Sequence, residues 1–407
     1  MKQSQLFTKA TKELPKDETS FNAQTLIRAG FIDKLTAGAY SFLPLGLRVH
    51  NKICNVIREE MNAIGGQEIL MPALTPKDVW EITDRWDNFD ALFKFKGING
   101  KEYALGATHE EVVTPAVKKY VLSYNDLPLA VYQIQTKFRN ELRAKAGLIR
   151  GREFSMKDLY SFHTNETDLE EYYEKVKQAY FKIFTRLGLK DVYLVYASGG
   201  AFSNYSHEFQ AWCETGEDLV YFCDQCQIGV NKEIIQDQDS CPECGSKNLV
   251  EHKAVEVGNI FKLGTRFSKP FELVYDNQEG QQRPVLMASY GIGPSRVMGT
   301  IVETLHDEHG IIWPDEVAPY KVHLISLNKN KEAEKLYHQL VADGVEVLYD
   351  DRDVNAGEKF AEADLIGCPY RLVISEKSLN AGGVEIKRRN KEEGKIIKIE
   401  EVKDNVQ

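Results

Sequence analysis

Residues 131–163, VYQIQTKFRNELRAKAGLIRGREFSMKDLYSFH, decide how this chain is read. The flanks alternate as strands do, and they enclose a basic loop. Alternate residues of a strand share a face. Gln133, Gln135, Lys137, Arg139 and Glu141 therefore fall on one side of the first strand. Arg152, Phe154, Met156, Asp158 and Tyr160 fall on one side of the returning strand. A face carrying arginine, glutamate and an aromatic ring suits a nucleotide. The guanidinium can grip a phosphate through paired hydrogen bonds. The carboxylate can accept from an exocyclic amine, and the ring can stack on a base. An amphipathic hairpin with one solvated face gives the same alternation.

Outward from this hairpin the pattern stays mixed. Upstream, Leu47, Val49, Ile53, Val56, Ile57 and Met61 are spaced as on one helix face, and Gly65 and Gly66 stop the run. EILMPAL, residues 68–74, reads as a short strand that Pro72 ends or leaves on an edge. Downstream, residues 168–188 read as an amphipathic helix with Asp168 as N-cap and Gly188 beyond its end. Past residue 314, strands YKVHLISL, VEVLYDD and YRLVISE alternate with two helical runs. That order predicts a small α/β domain with a largely parallel sheet, bounded near residues 314–319.

A chain of 407 residues with a hydrophobic content of 43% can hold roughly two to four domains with their own cores. No apolar run reaches the length of a membrane span, and the first residues lack the apolar core of a signal peptide. A cytoplasmic location without membrane attachment is the resulting expectation. The net charge of -10 disfavours nucleic acid as a partner of the whole surface. Charge is uneven, however: residues 139–152 hold five basic residues against the single acid Glu141, and Lys387, Arg388 and Arg389 form a second cluster. Local basic patches on an acidic body can hold RNA; solvated surface runs look the same in sequence. Cys223, Cys226, Cys241 and Cys244 form C-x2-C-x14-C-x2-C. In a chain without a secretion signal this spacing predicts a structural Zn²⁺ site with four thiolate ligands.

Three segments, taken together, carry a resemblance. FRNE, the basic loop and REF resemble motif 2 of the class II aminoacyl-tRNA synthetases. MASYGIGPSRVMGTIVE resembles motif 3, with Gly291, Gly293 and Arg296. LGLRVHNKICNVIREEMNAIGGQEILMPAL resembles motif 1, with its proline at Pro72. They occur in the order the class requires. Within the class, LGATHEE, REFSMKDLYSFH, SHEFQ, EVGNIFKLGTRFS, YGIGPSR and GIIWPDEVAPYKV resemble the bacterial-type prolyl-tRNA synthetases, over nearly the whole chain.

The resemblance implies an α/β protein with an antiparallel class II catalytic core (1–218 and 254–314), a zinc-ribbon insertion (219–253) and a C-terminal anticodon-binding domain (315–407). It implies ATP, Mg²⁺, proline and tRNA(Pro) as partners in the reaction, and a homodimer through motif 1. Arg139 would contact the α-phosphate and the proline carboxylate. Glu141 would meet the adenine amine, and Phe154 and Arg296 would enclose the adenine ring, Arg296 also reaching the γ-phosphate. Thr108 and Glu110 would receive the imino group. Met156, Asp158, Asn259 and Phe261 would line the proline pocket. Gln210 and Glu256 would contact ATP or Mg²⁺. His207 has either a structural or a substrate role there. Arg352, Lys359, Lys387 and Arg388 would face the anticodon, or else be ordinary exposed charges.

The implied chemistry needs no protein nucleophile. The proline carboxylate attacks the α-phosphorus, and a tRNA 3′-hydroxyl then attacks the adenylate. Positioning and charge neutralisation carry both steps. No Ser/His/Asp or Cys/His signature stands out in the sequence, and no general base is assigned.

Three features depart from the family's pattern. Phe202 stands where a glycine pair is usual before SHEF, and Asn259 stands where histidine is usual. The segment 219–253 is too short to hold the editing domain that clears mischarged alanyl-tRNA, so either a separate deacylase acting in trans or tolerance of some error is expected. A synthetase-like binding protein is disfavoured by the intact FRNE, REF and GPSR strings. A ligase for threonine, serine or glycine is disfavoured by the TxE and SHEF strings.

Overall fold

The computed structural model describes residues 1–200 and 205–406, so Phe202 lies outside the described residues. By internal packing the chain divides into two units. One comprises Thr36–Ala39 and Cys54–Thr300; the other comprises Met1–Leu35, Tyr40–Ile53 and Ile301–Gln407. The sequence-based boundary near residue 314 thus falls inside the second unit.

Helix α1 (Pro44–Ala63) ends at the glycine pair as its sequence requires. Strand β1 is only Gln67–Glu68. The expected strand over EILMPAL is thereby corrected. The amide of Ile69 still donates to the Tyr132 carbonyl (2.7 Å), but the ladder goes no further towards Pro72, which has no N–H to give. After α2 (Glu110–Val117), strands β2 (Leu129–Phe138) and β3 (Glu153–His163) form the expected hairpin. Its register sets Gln133 against Asp158, Gln135 against Met156 and Lys137 against Phe154, so the two alternating rows share one face.

Helix α3 (Glu166–Arg186) follows at once. Its cap is Asn165, whose side chain accepts from the Asp168 amide, and not Asp168 itself. Asp168 is instead in the first turn, where a carboxylate favours the helix dipole. Leu169, Tyr172, Tyr173, Val176, Tyr180, Ile183 and Phe184 form its buried stripe. Their fit to the sheet explains Gly258: a Cβ there would stand 3.2 Å from the rings of Tyr180 and Phe184.

The remaining strands of the main sheet of this unit are β4 (Val192–Ser198), β5 (Tyr205–Trp212), β6 (Asp218–Cys223), β7 (Ile228–Asn231), β8 (Val250–Gly264) and β9 (Leu286–Ile292). The sheet runs β5-β4-β7-β6-β8-β9-β3-β2-β1, with β5 also paired to β8. That extra pairing closes five strands on themselves at one end, around Val195, Val220 and Ala254. Only β1–β2 and β7–β4 run parallel. The cysteine segment is therefore built into the sheet: β6 pairs with both β7 and β8. Helix α4 (Pro294–Thr304) follows β9.

The second unit holds a five-stranded sheet. Strand β10 (Val322–Ser326) pairs in parallel with β11 (Val347–Asp350) and β12 (Tyr370–Ile374). Strands β13 (Val384–Arg388) and β14 (Lys395–Ile397) add antiparallel. Helices α5 (Asn330–Ala342) and α6 (Ala356–Ile366) make the crossovers. Gly367 ends α6 with φ +79°, where a Cβ would meet the Ile311 carbonyl oxygen at 2.1 Å. The chain's first residues join this unit: the Met1 ammonium donates to the Val347 carbonyl (2.9 Å) and the Tyr337 hydroxyl (2.8 Å).

Candidate active site

The hairpin face, β8 and the β9–α4 turn enclose one chamber. Eleven of the residues expected there line it: Thr108, Glu110, Arg139, Glu141, Phe154, Met156, Asp158, Glu256, Asn259, Phe261 and Arg296. They come from strand faces, a helix start and a glycine-rich turn, so the fold assembles what lies far apart in sequence. Gln210 and His207 are not among the lining residues.

One end of the chamber is cationic. The Arg139 guanidinium stands over the Phe154 ring, 5.3 Å from its centre, and its Nε has no hydrogen-bond partner. Burial, then Arg296, hold its pKa below the usual arginine value. Arg296 is fixed instead: Nε donates to the Ile149 carbonyl (2.8 Å), and Nη1 meets the Glu256 carboxylate (2.5 Å). Glu141 accepts from Arg150 (2.8 Å). An underpartnered buried guanidinium beside a second one is a site for an anion.

The other end is acidic. Thr108 hydrogen-bonds to Glu110, which also accepts from Ser289 (3.3 Å). Asp158 accepts from Gln133 and Tyr160, each at 2.9 Å. Behind this wall the buried Arg85 pairs with Glu111 (2.8 Å) and reaches Glu110 (3.5 Å). Sequence reasoning missed Arg85, because nothing local marks its pairing with Glu111 across 26 residues.

Beside the cationic end lies a third cluster. Gln210, fully buried, donates to Glu208 (2.8 Å) and Asp218 (2.9 Å), while its own Oε1 has no partner. Asn259 donates to Glu256 (3.0 Å) and Glu208 (3.4 Å). Burial and the neighbouring Glu256 push the Glu208 carboxyl up to about 8. Glu208, within SHEF, was legible only as part of a string.

Other candidates lie elsewhere. His207 faces a separate cavity, bonded through Nδ1 to the Tyr173 hydroxyl (2.7 Å) and edge-on to Tyr196. The four cysteine sulfurs lie within 4.8 Å of one another, with Cys223 and Cys244 at 3.8 Å. A tetrahedral zinc with Zn–S bonds of about 2.3 Å needs sulfurs about 3.8 Å apart, so the cluster fits that ion. In the second unit, Arg352 pairs with Asp350 and Glu362, and the buried Lys359 donates to the Ser326 carbonyl (2.8 Å); both line one polar cavity. Arg388 pairs with Asp315 (2.7 Å), and Lys387 sits on the same strand opposite Arg371.

The structure also forms a row the sequence did not reveal. Ser161 Oγ lies 2.8 Å from His163 Nε2, and His163 Nδ1 lies 2.8 Å from Asp168. Ser161 and His163 are buried, and Ser161 also bonds to the Tyr290 hydroxyl (2.9 Å). None of the three lines the chamber, so the row ties β3 to the start of α3 and is no nucleophile for a bound substrate.

Comparison with known proteins agrees with this geometry. Residues 93–305 match the tRNA synthetase class II core domain (G, H, P, S and T), and residues 321–407 match an anticodon binding domain. A proline--tRNA ligase of Hyphomonas neptunium is 38% identical over 99% of this chain and 98% of its own length. One from Caulobacter vibrioides is 38% identical over 100% and 99%. One from Syntrophomonas wolfei is 33% identical over 100% and 98%, through an alignment of 562 positions against the 407 residues here. That relative therefore carries a long stretch for which this chain has no counterpart. The prolyl-tRNA synthetase of Giardia lamblia, solved with prolyl-adenylate, superposes with a TM-score of 0.79 at 22% identity, covering 94% of this chain and 75% of that one, a likeness of fold. With a class II core and near full-length relatives well above 30% identity, this chain belongs to the proline--tRNA ligase family.

Proposed function

We propose that the chamber activates proline with ATP and passes the prolyl group to the 3′ end of tRNA(Pro). The observation that carries this reading is the chamber's polarity. A zwitterionic amino acid needs a cationic group for its carboxylate and an acidic group for its nitrogen, and ATP needs the cationic group as well. Arg139 stands where one guanidinium can serve the carboxylate and the α-phosphate together. Thr108 and Glu110 receive the imino nitrogen, with Met156, Asp158, Asn259 and Phe261 around the ring. Phe154 and Arg296 enclose the adenine, and Glu141 accepts from its amine once Arg150 yields. Holding both reactants and offsetting the charge that develops at phosphorus supplies the rate enhancement. The carboxylate is the nucleophile, so no side chain need abstract a proton in the first step.

Glu256, on the chamber wall, and Gln210, buried behind it, are the oxygen donors we assign to ATP or Mg²⁺. The unpartnered Gln210 Oε1 beside the carboxylates fits a hard cation. Such an ion offsets phosphate charge when bound. Zn²⁺ on Cys223, Cys226, Cys241 and Cys244 is structural, since four thiolates leave no open position. The four-part division, with the anticodon met by Arg352, Lys359, Lys387 and Arg388, stands as part of this reading. So do a homodimer through motif 1, a cytoplasmic site of action, and reliance on a deacylase in trans. Among the described residues no helix is long and apolar enough to cross a membrane.

The test is pyrophosphate exchange into ATP with each of the twenty amino acids. Proline alone should drive strong exchange without tRNA. Exchange driven by another amino acid and not by proline would overturn the reading.

A further inference from the structure

Beneath the acidic end of the chamber lies a buried layer that none of the roles above employs. Lys137 on β2 and His109 at the start of α2 are both fully buried. His109 Nε2 lies 3.0 Å from the Pro72 carbonyl oxygen. A carbonyl only accepts, so Nε2 carries the ring proton. In the neutral ring Nδ1 is then an acceptor, and Lys137 Nζ, 2.6 Å away, donates to it. Lys137 Nζ also forms an ion pair with Asp158 Oδ1 at 2.8 Å. The Tyr160 hydroxyl, which donates to Asp158, accepts from the His109 amide (3.1 Å). Gly106 makes room for the ring, since a Cβ there would come within 2.8 Å of it. Burial, then Lys137, hold His109 down at about 4, which keeps it neutral at pH 7.

We infer that Lys137, oriented by neutral His109, is a positioning residue for the amino acid: it fixes the Asp158 carboxylate and offsets its charge. The inference rests on the function proposed above. A secondary ammonium brings one positive charge into the pocket. Glu110 has Arg85 3.5 Å away, whereas Asp158 without Lys137 would lose its ion pair and present a second anionic face for that charge. With Asp158 tied to Lys137, Thr108 and Glu110 form the one directed site for the nitrogen. A lysine that merely filled the core would behave differently. Its replacement by an apolar residue would leave the buried Asp158 without its ion pair and cost stability in either case, but it would not separate proline from ATP.

The experiment is steady-state pyrophosphate exchange with proline and ATP varied separately, on full-length proteins whose folding is checked by circular dichroism. Lys137→Met is expected to raise KM for proline about 10- to 100-fold, with KM for ATP within about twofold. His109→Leu removes the acceptor and should do the same. His109→Asn keeps an acceptor near the place of Nδ1 and should stay close to wild type. If Lys137→Met does not fold, the two His109 variants decide. A KM for proline within twofold of wild type in the folded Lys137→Met or His109→Leu protein overturns the inference, as does an equal rise for ATP. Wild type without proline-dependent exchange overturns the proposed function and this inference with it. An active wild type with unchanged variants overturns this inference alone.

Discussion

The Arg139 guanidinium lies 5.3 Å from the centre of the Phe154 ring, with its Nε unpartnered in the chamber wall. The pairing holds a cation in place without neutralising it. A carboxylate partner would have made the arginine cheaper to bury and useless to an anion. The sheet provides the alternative, because Phe154 opposes Lys137 in the register and Arg139 follows two residues later.

Arg139→Ala should therefore nearly abolish activation while leaving the fold intact. Removing one stabilising donor of this kind typically costs about 3–4 kcal/mol, or 10²–10³ in rate. Among the described residues Arg139 makes no ion pair that this change would break. Proline-dependent exchange and thermal unfolding, measured on the same preparation, check both halves. A variant within a few-fold of wild type would remove Arg139 from its assigned role.

Metal analysis of protein purified without chelator should give one zinc per chain. Cys226→Ser should lower that stoichiometry and loosen β6 and β7, which carry the first cysteine pair between them. Binding energies of about 10–16 kcal/mol are apparent for such sites in isolated fingers. A substantial fall in the urea midpoint should thus accompany zinc loss. Zinc-free protein of unchanged stability would be incompatible with a structural metal.

Acidification below about pH 6.5 should remove stability held by three buried histidines, while Glu208, whose carboxyl is pushed up to about 8, works in the opposite direction because the folded state takes its proton first. Burial, foremost, holds His109, His207 and His323 down at about 4. In the unfolded chain each titrates near about 6.5. Between those values the unfolded state binds more protons, so stability is complete above the unfolded pKa and falls as pH drops towards the folded one. Each histidine contributes a slope of at most about 1.4 kcal/mol per pH unit in that window. Urea unfolding at pH 7.5, 6 and 5 should show the loss. His323→Gln should reduce it, since His323 Nε2 meets only the Gln3 amide oxygen (2.9 Å) and Nδ1 has no partner. A His323→Gln protein whose stability depends on pH between 7.5 and 5 as that of the wild type does would contradict this account, since the opposing contribution of Glu208 is common to both.

The fold was legible through periodicity, the cysteine cluster through its spacing, and the chamber residues through the resemblance of their strings to those of a known family. The hairpin face was legible because a two-residue repeat fixes it whatever surrounds it. The C-terminal order of strands and helices was legible for the same reason. The α3 cap was not, because Asn165, Thr167 and Asp168 compete at one helix start, and Asp168 is drawn to His163. The roles of Arg85, Lys137 and Glu208 were hidden more deeply. Each depends on a charge partner brought close by the sheet, and composition carries no trace of such pairing. His207 shows the converse: a residue in an informative string, SHEFQ, whose ring the fold directs to Tyr173 and Tyr196.

Finally, this chain should not clear alanyl-tRNA(Pro) unaided. Alanine is smaller than proline, so a pocket shaped for proline cannot exclude it by size. Missing methylenes are worth only about 1–3 kcal/mol each, which falls short of what translation demands. Enzymes at that limit add a second, hydrolytic site. Here residues 219–253 are taken up by most of β6, all of β7, the cysteine cluster and the start of β8, all tied into the sheet. A four-thiolate site has no open position at which to activate water. In the Ser161–His163–Asp168 row Ser161 and His163 are buried, and none of the three lines the chamber. The Syntrophomonas wolfei relative aligns over 562 positions against the 407 residues here, so the remaining positions of that alignment have no counterpart in this chain. Purified protein incubated with pre-formed alanyl-tRNA(Pro) should release alanine at the spontaneous rate, and an added trans-acting deacylase should accelerate it. Release by this protein alone, well above the spontaneous rate, would mean that the chain holds an editing site of its own.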